Sequence, residues 1–162
     1  LIFVITGVGY SLPPVRAKAR PVFDSLFNIL YVAPAFAVYS AATGQLPSVL
    51  AIAAATLWCM AMHAYSAVPD IKADAASRTA TVATLFGRQP TLWLCGLAYT
   101  AAAGLSYALI GWPALIGGAV YLALIVLSLR TDTNEQLFRL YTWFPIVNTV
   151  LGAGLFFATL LG

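Results

Sequence analysis

Asp70 and Asp74 stand four residues apart in the stretch VPDIKADAASRT, with Lys72 between them and Arg78 after them. In a helix this spacing puts both carboxylates on one face. Like charges so placed repel, and a shared cation relieves the repulsion. Mg2+ suits such a pair, because it takes oxygen ligands and is usually held by one or two carboxylates with phosphate oxygens and water. The plainer reading is a solvated loop in which Lys72 and Arg78 neutralise the acids. Upstream, His63 and Ser66 precede Asp70 and Asp74 at helical steps. If the helix continues, the four form one stripe leading into a pocket, since ionisable groups in apolar spans usually face a cavity or the bundle interior. A neutral His63 bonded to a neighbouring helix is the alternative.

A second group lies in YSLPPVRAKARPVFD. Arg16, Lys18 and Arg20 alternate between prolines at 13, 14 and 21, which limit the freedom of the segment. Three cations held close together suit a phosphate or diphosphate. They equally suit an anchor at anionic headgroups. Asp24 and Asn28 share a helical face. Asp24 is expected to pair with Arg20, four residues before it, or else to enter the site. Tyr31, Trp58, Tyr65, Trp93, Tyr141 and Trp143 read as lipid-interface or packing residues, a few of which could turn a ring face to a carbocation. Cys59 and Cys95 fall in apolar spans and read as buried thiols.

The elements that must position these residues are apolar helices. Of the 162 residues, 62% are hydrophobic and 8% charged; ordinary soluble domains carry about 25% charged residues. A spanning helix needs roughly 20 apolar residues. Full spans are expected near Val22–Ala42, Val49–Ala67, Thr91–Ile110, Ala114–Leu129 and Leu140–Leu161, with Leu1–Leu12 as the end of a truncated one. The expected class is an all-α polytopic transmembrane bundle in one membrane domain. The start at Leu1, inside an apolar run, suggests a fragment. With alternating spans, segments 13–21, 68–90 and 130–139 share one side of the membrane. All eight cations and five acids lie there or at the helix ends facing it. The positive-inside rule explains the cations, makes this side cytoplasmic, and removes any need for nucleic acid to explain a net charge of +3. It leaves the acids unexplained, because they contribute little to topology.

These motifs resemble the UbiA superfamily of intramembrane prenyltransferases. Tyr10-Ser11-x-Pro13-Pro14-x-Arg16-x-Lys18 is similar to that family's basic loop before its fifth helix. Asp70-x-x-x-Asp74, followed by Thr81 and Gly87, is similar to its second aspartate-rich motif. The wording RPVFDSLFN and MHAYSAVPDI looks closest to the carotenoid-type branch with the lycopene elongases. The resemblance implies a nine-helix fold of which this chain holds the end of helix four and helices five to nine. It implies Mg2+ as cofactor, with Asp70 and Asp74 holding one ion. It implies Tyr10, Arg16 and Lys18 on the diphosphate of a prenyl substrate, with Lys72 and Arg78 as further contacts. His63, Ser66, Asp24 and Asn28 are the pocket candidates. The prenyl group would ionise to an allylic cation and be attacked by a lipid-soluble acceptor, a carotenoid such as lycopene or a quinone precursor.

The sequence departs from the family pattern in two ways. The first, Asn-Asp-rich motif does not occur in these residues, so the piece alone is expected to be inactive. Arg78 stands where the family often has Gly. Two other classes were weighed. A lipid phosphatidyltransferase would carry a denser acidic pattern with a fourth acid after a Gly. A transporter or scaffold would distribute polar groups toward both faces.

Overall fold

The computed structural model describes residues 2–161. They fold into helices joined by short turns, with no strand among them. α1 is Ile2–Ser11. A 3-10 turn at Ala17–Ala19 leads to α2, Phe23–Leu26, a second 3-10 turn at Phe27–Tyr31, and α3, Ala33–Thr43. Then come α4, Val49–Ala67; α5, Ile71–Ala76; α6, Val82–Phe86; α7, Arg88–Ile110; α8, Trp112–Leu129; α9, Asn134–Tyr141; and α10, Trp143–Leu161.

Four stretches among the described residues are long and apolar enough to cross a membrane: Val49–Ala67, Arg88–Ile110, Trp112–Leu129 and Asn134–Phe157. A fifth forms if the bent pair Phe23–Tyr31 and Ala33–Thr43 counts as one span. The architecture is an all-α polytopic bundle, as the composition requires. The expected second span is not straight: its two halves meet at 40°. Pro34 explains the break. It sits in the first turn of α3, has no N–H for the Leu30 carbonyl, and its ring crowds that carbonyl.

Helix α4 starts where Ser48 accepts the Ala51 N–H at 3.1 Å. It stops at Ala67 because Pro69 cannot continue the ladder. The unbroken stripe from His63 to Asp74 is therefore corrected: Asp70 begins a separate short helix, α5. The polar run 130–139 is also more ordered than a loop. Thr133 and Gln136 form a capping box that starts α9.

Helix α4 packs most extensively on α7, and α7 on α8. Tyr65, Leu92, Cys95, Tyr99 and Ile125 are buried where they meet. Tyr65 and Ser128 share a hydrogen bond of 2.8 Å between α4 and α8. An alanyl Cβ at Gly118 would meet Ala103 Cβ at 2.5 Å, so α8 approaches α7 as closely as a glycine permits.

The charged segments converge at one end of this core. Arg88, at the start of α7, donates to the Ser128 carbonyl at 3.3 Å and to the carbonyl and hydroxyl of Thr131, closing the end of α8. Asn134 Nδ2 donates to the Pro69 carbonyl at 2.8 Å. The Val82 N–H reaches Asp24 Oδ2 at 3.3 Å. These bonds tie segments 69–88 and 128–134 together and join both to the first limb of the bent span.

Candidate functional site

Asp24 is the centre of that end. It is 1% exposed, between α4 and the turn before α6. Its expected partner, Arg20, lies elsewhere and donates to the Pro14 carbonyl at 3.1 Å. That reading is corrected: Asp24 pairs instead with His63, whose Nε2 is 3.5 Å from Oδ2. The i,i+4 geometry fails because Asp24 turns inward with the short helix α2, whereas Arg20 stays exposed in the preceding turn. The His63 contact lacks hydrogen-bond geometry, and Asp24 Oδ1 has no hydrogen-bond partner. Asn28 is buried beside it and donates through Nδ2 to the Asp24 carbonyl. Tyr10 meets the His63 ring edge-on, centroids 6.5 Å apart. Ser66 is turned back on its own helix, donating to the His63 carbonyl at 2.7 Å.

The second aspartate pair sits on α5. Asp70 is exposed and Asp74 partly buried. Removal from water, and next the charge of Asp70, hold the Asp74 carboxyl above its usual range; the Thr81 hydroxyl and His63 act the other way, and Asp24 adds to the rise. Asp24, His63, Asp70 and Asp74 thus share one electrostatic neighbourhood. Lys72 and Arg78 do not neutralise the acids: the ion pairs among the described residues are His63–Asp24 and Glu135–Arg139. Both cations are exposed.

Arg78 caps α5. Its N–H reaches the Ala75 carbonyl at 3.2 Å, and the Thr79 N–H reaches the Asp74 carbonyl at 2.8 Å. These are the two bonds of a Schellman motif, in which the residue at Arg78 must be left-handed. Its φ is 56°. Glycine would adopt that conformation without strain. Gly87, between α6 and α7, has φ 81° and ψ 177°, a conformation almost confined to glycine.

The basic loop folds onto α1 and α2. Ala17 is fully buried, while Arg16 and Arg20 are exposed and Lys18 partly so. Arg16 itself is left-handed, with φ 42°. The donors available for a metal are carboxylate oxygens, which suit a hard divalent ion. Among the described residues no three His, Cys, Asp or Glu side chains form a metal set. The carboxylates of Asp70 and Asp74 offer only part of the oxygen shell that such an ion takes.

A separate cavity of about 770 Å³ lies between α4, α7, α8 and α10. Small residues such as Ala55, Ala102 and Gly117 open it, and Trp58, Tyr99 and Tyr121 wall it. Tyr121 donates to Asn148 Oδ1 at 2.6 Å at its edge. Residue spacing does not reveal this pair; a lone Asn in an apolar span is the signal it offers.

Apolar spans with their charges gathered at one end define an integral membrane protein. The chain belongs to the UbiA prenyltransferase family, whose pattern matches residues 1–149. It is 39% identical to a lycopene elongase/hydratase of Haloferax volcanii over 148 residues, 90% of this chain and 48% of that protein. It is 39% identical to one of Halobacterium salinarum over 156 residues, 91% of this chain and 53% of that protein. One of Corynebacterium glutamicum is 31% identical over 160 residues, 94% of this chain and 55% of that protein. The chain spans about half the length of these curated relatives. No solved structure matches it significantly.

Proposed function

We propose that this chain is the C-terminal part of a prenyltransferase that moves a prenyl group from a prenyl diphosphate to a lipophilic acceptor within the membrane. The observation that carries the reading is the gathering of Asp24, Asp70, Asp74 and His63 at the charged end of an apolar bundle, with Arg16, Lys18, Lys72 and Arg78 outside the ion pairs there. Asp70 and Asp74 hold Mg2+, which supplies charge to stabilise the departing diphosphate. Tyr10, Arg16 and Lys18 orient the diphosphate, and Lys72 and Arg78 add charge from α5. The charged end faces the cytoplasm.

The names of the relatives make a carotenoid polyene the favoured acceptor, ahead of a quinone precursor. The cavity beside Trp58 and Tyr121 has the size and apolar lining to receive part of a long chain. Family membership argues against the phosphatidyltransferase and transporter readings.

The test is Mg2+-dependent binding of a prenyl diphosphate to the natural protein carrying these residues. Binding is expected to need Mg2+ and to weaken at least tenfold in Asp70→Ala and Asp74→Ala. Metal-independent binding, or parental affinity in both variants, overturns the reading.

A further inference from the structure

We infer that His63, held by the buried Asp24, is the proton acceptor that completes the reaction. The inference rests on the prenyl-transfer reading above. Asp24 receives one N–H on Oδ2 and none on Oδ1. A carboxylate so far from water is costly unless a cationic or donor group faces it. His63 Nε2 is that group. Nε2 is itself shielded from solvent, yet the His63 side chain is 20% exposed. The accessible surface therefore lies on the other side-chain atoms, and Nδ1 is the ring nitrogen not turned to Asp24.

The negative charge of Asp24 favours the tautomer with its proton on Nε2, and Nδ1 keeps a lone pair. A buried Asp that fixes an imidazole tautomer, and stabilises the imidazolium once formed, is how hydrolytic triads prepare a histidine base. The 3.5 Å contact is longer than a hydrogen bond, as catalytic contacts often are before substrate tightens them. Tyr10 at the ring edge, and Asp74 within electrostatic reach, put the base beside the proposed diphosphate site.

The reaction releases a proton that a base must take up. The C–O bond of the prenyl diphosphate breaks, and its electron pair leaves with diphosphate. A C=C pair of the acceptor forms the new C–C bond and leaves a cation on the neighbouring acceptor carbon. That cation is discharged in one of two ways. An adjacent C–H gives its proton to Nδ1 while its electron pair closes a new C=C. Alternatively, a water oxygen adds to the cation, and one water proton passes to Nδ1. One proton reaches His63 in either case and returns to solvent.

The test compares His63→Gln and Asp24→Asn with the parent in the natural protein, reading diphosphate release and prenylated product in the same reaction. His63→Gln keeps an N–H donor for Asp24 but has no basic nitrogen. Product formation is expected to fall about 100-fold or more. The KM for prenyl diphosphate stays within about twofold, since ground-state binding is untouched. Diphosphate release then exceeds product. Asp24→Asn, a change in a positioning residue, lowers kcat with the same KM. It also removes the preference for the Nε2 proton in the 15N spectrum of His63. Deuterium lost from the acceptor marks carbon as the proton source, and 18O gained from labelled water marks hydration.

Parental product rates in a folded His63→Gln protein overturn the inference and leave the prenyl-transfer reading standing. A parent spectrum with the proton on Nδ1 also overturns it, whether or not the variants fold. A parent that releases no diphosphate overturns both.

Discussion

Asp74 is held protonated to higher pH than an ordinary carboxylate, chiefly by removal from water and then by the charge of Asp70. The sign of its stability effect follows. The folded state binds this proton more tightly than the unfolded state, so Asp74 lowers stability as pH rises from about 4 through its raised folded value. The metal-free protein is therefore expected to tolerate Asp74→Asn with an unchanged or higher melting temperature at pH 7. The same variant should lose the melting-temperature increase that Mg2+ and a prenyl diphosphate give the parent by mass action. A lower metal-free melting temperature would refute this account of Asp74. Arg78 offers a second test at this scale. Its left-handed backbone costs about 1 kcal/mol relative to glycine. Arg78→Gly should raise stability by up to about that amount, less the entropy glycine adds to the unfolded chain. A simultaneous several-fold loss of diphosphate affinity marks the guanidinium as a ligand contact. Unchanged affinity reduces Arg78 to a strained cap.

Between elements, Gly118 on α8 packs against Ala103 on α7 with no room for a Cβ. Gly118→Ala puts a methyl group 2.5 Å from another, so the helices must separate or shift. Overpacking of this kind typically costs 1–3 kcal/mol. The expected result is a lower melting temperature in detergent, with most of the loss recovered when Ala103→Gly is added. An additive double variant would show that the contact is relieved elsewhere. Arg88 acts at the same scale. It reads as one more cation of the positive face, but it bonds the Ser128 carbonyl in the last turn of α8 and the Thr131 carbonyl just beyond it, where a cation also meets the favourable end of the helix dipole. The signal for α9 was in plain sight, because Thr133-Asn134-Glu135-Gln136 has the spacing of a capping box. The segment is charged, and its capping bonds make it a helix.

The molecule as a whole has a charged end and an uncharged end. Cysteine placed at Ser77, on the exposed tip after α5, should react with a membrane-impermeant maleimide only when the cytoplasmic side is open. Cysteine at Gln45, between α3 and α4, should react only from outside. Cys59 and Cys95 are buried and give little background. Labelling of both positions from one side would overturn the alternating topology. The apolar cavity and the charged end make different demands on substrate. Ala102→Phe narrows the apolar cavity far in sequence from Asp70 and Asp74. It should reduce transfer to a long acceptor while leaving Mg2+-dependent prenyl diphosphate binding within about twofold of the parent.

Sequence by itself determined the class, most of the spans and the end at which the charges gather. Apolar length and charge placement are local quantities, and a lipid environment leaves helices as the main way to satisfy the backbone. The paired acids Asp70 and Asp74, and the family resemblance, were legible for the same reason: both depend on short spacings. Tertiary structure decided who meets whom. Asp24 chose His63 over Arg20, because the partner lies on another helix and no near-neighbour spacing encodes that approach. The bend before Pro34, the stop before Pro69 and the bonds of Arg88 bring α2, α4, α5 and α8 to one end. Only that convergence turns Asp24 from a surface ion-pair candidate into a buried charge facing the ring of His63.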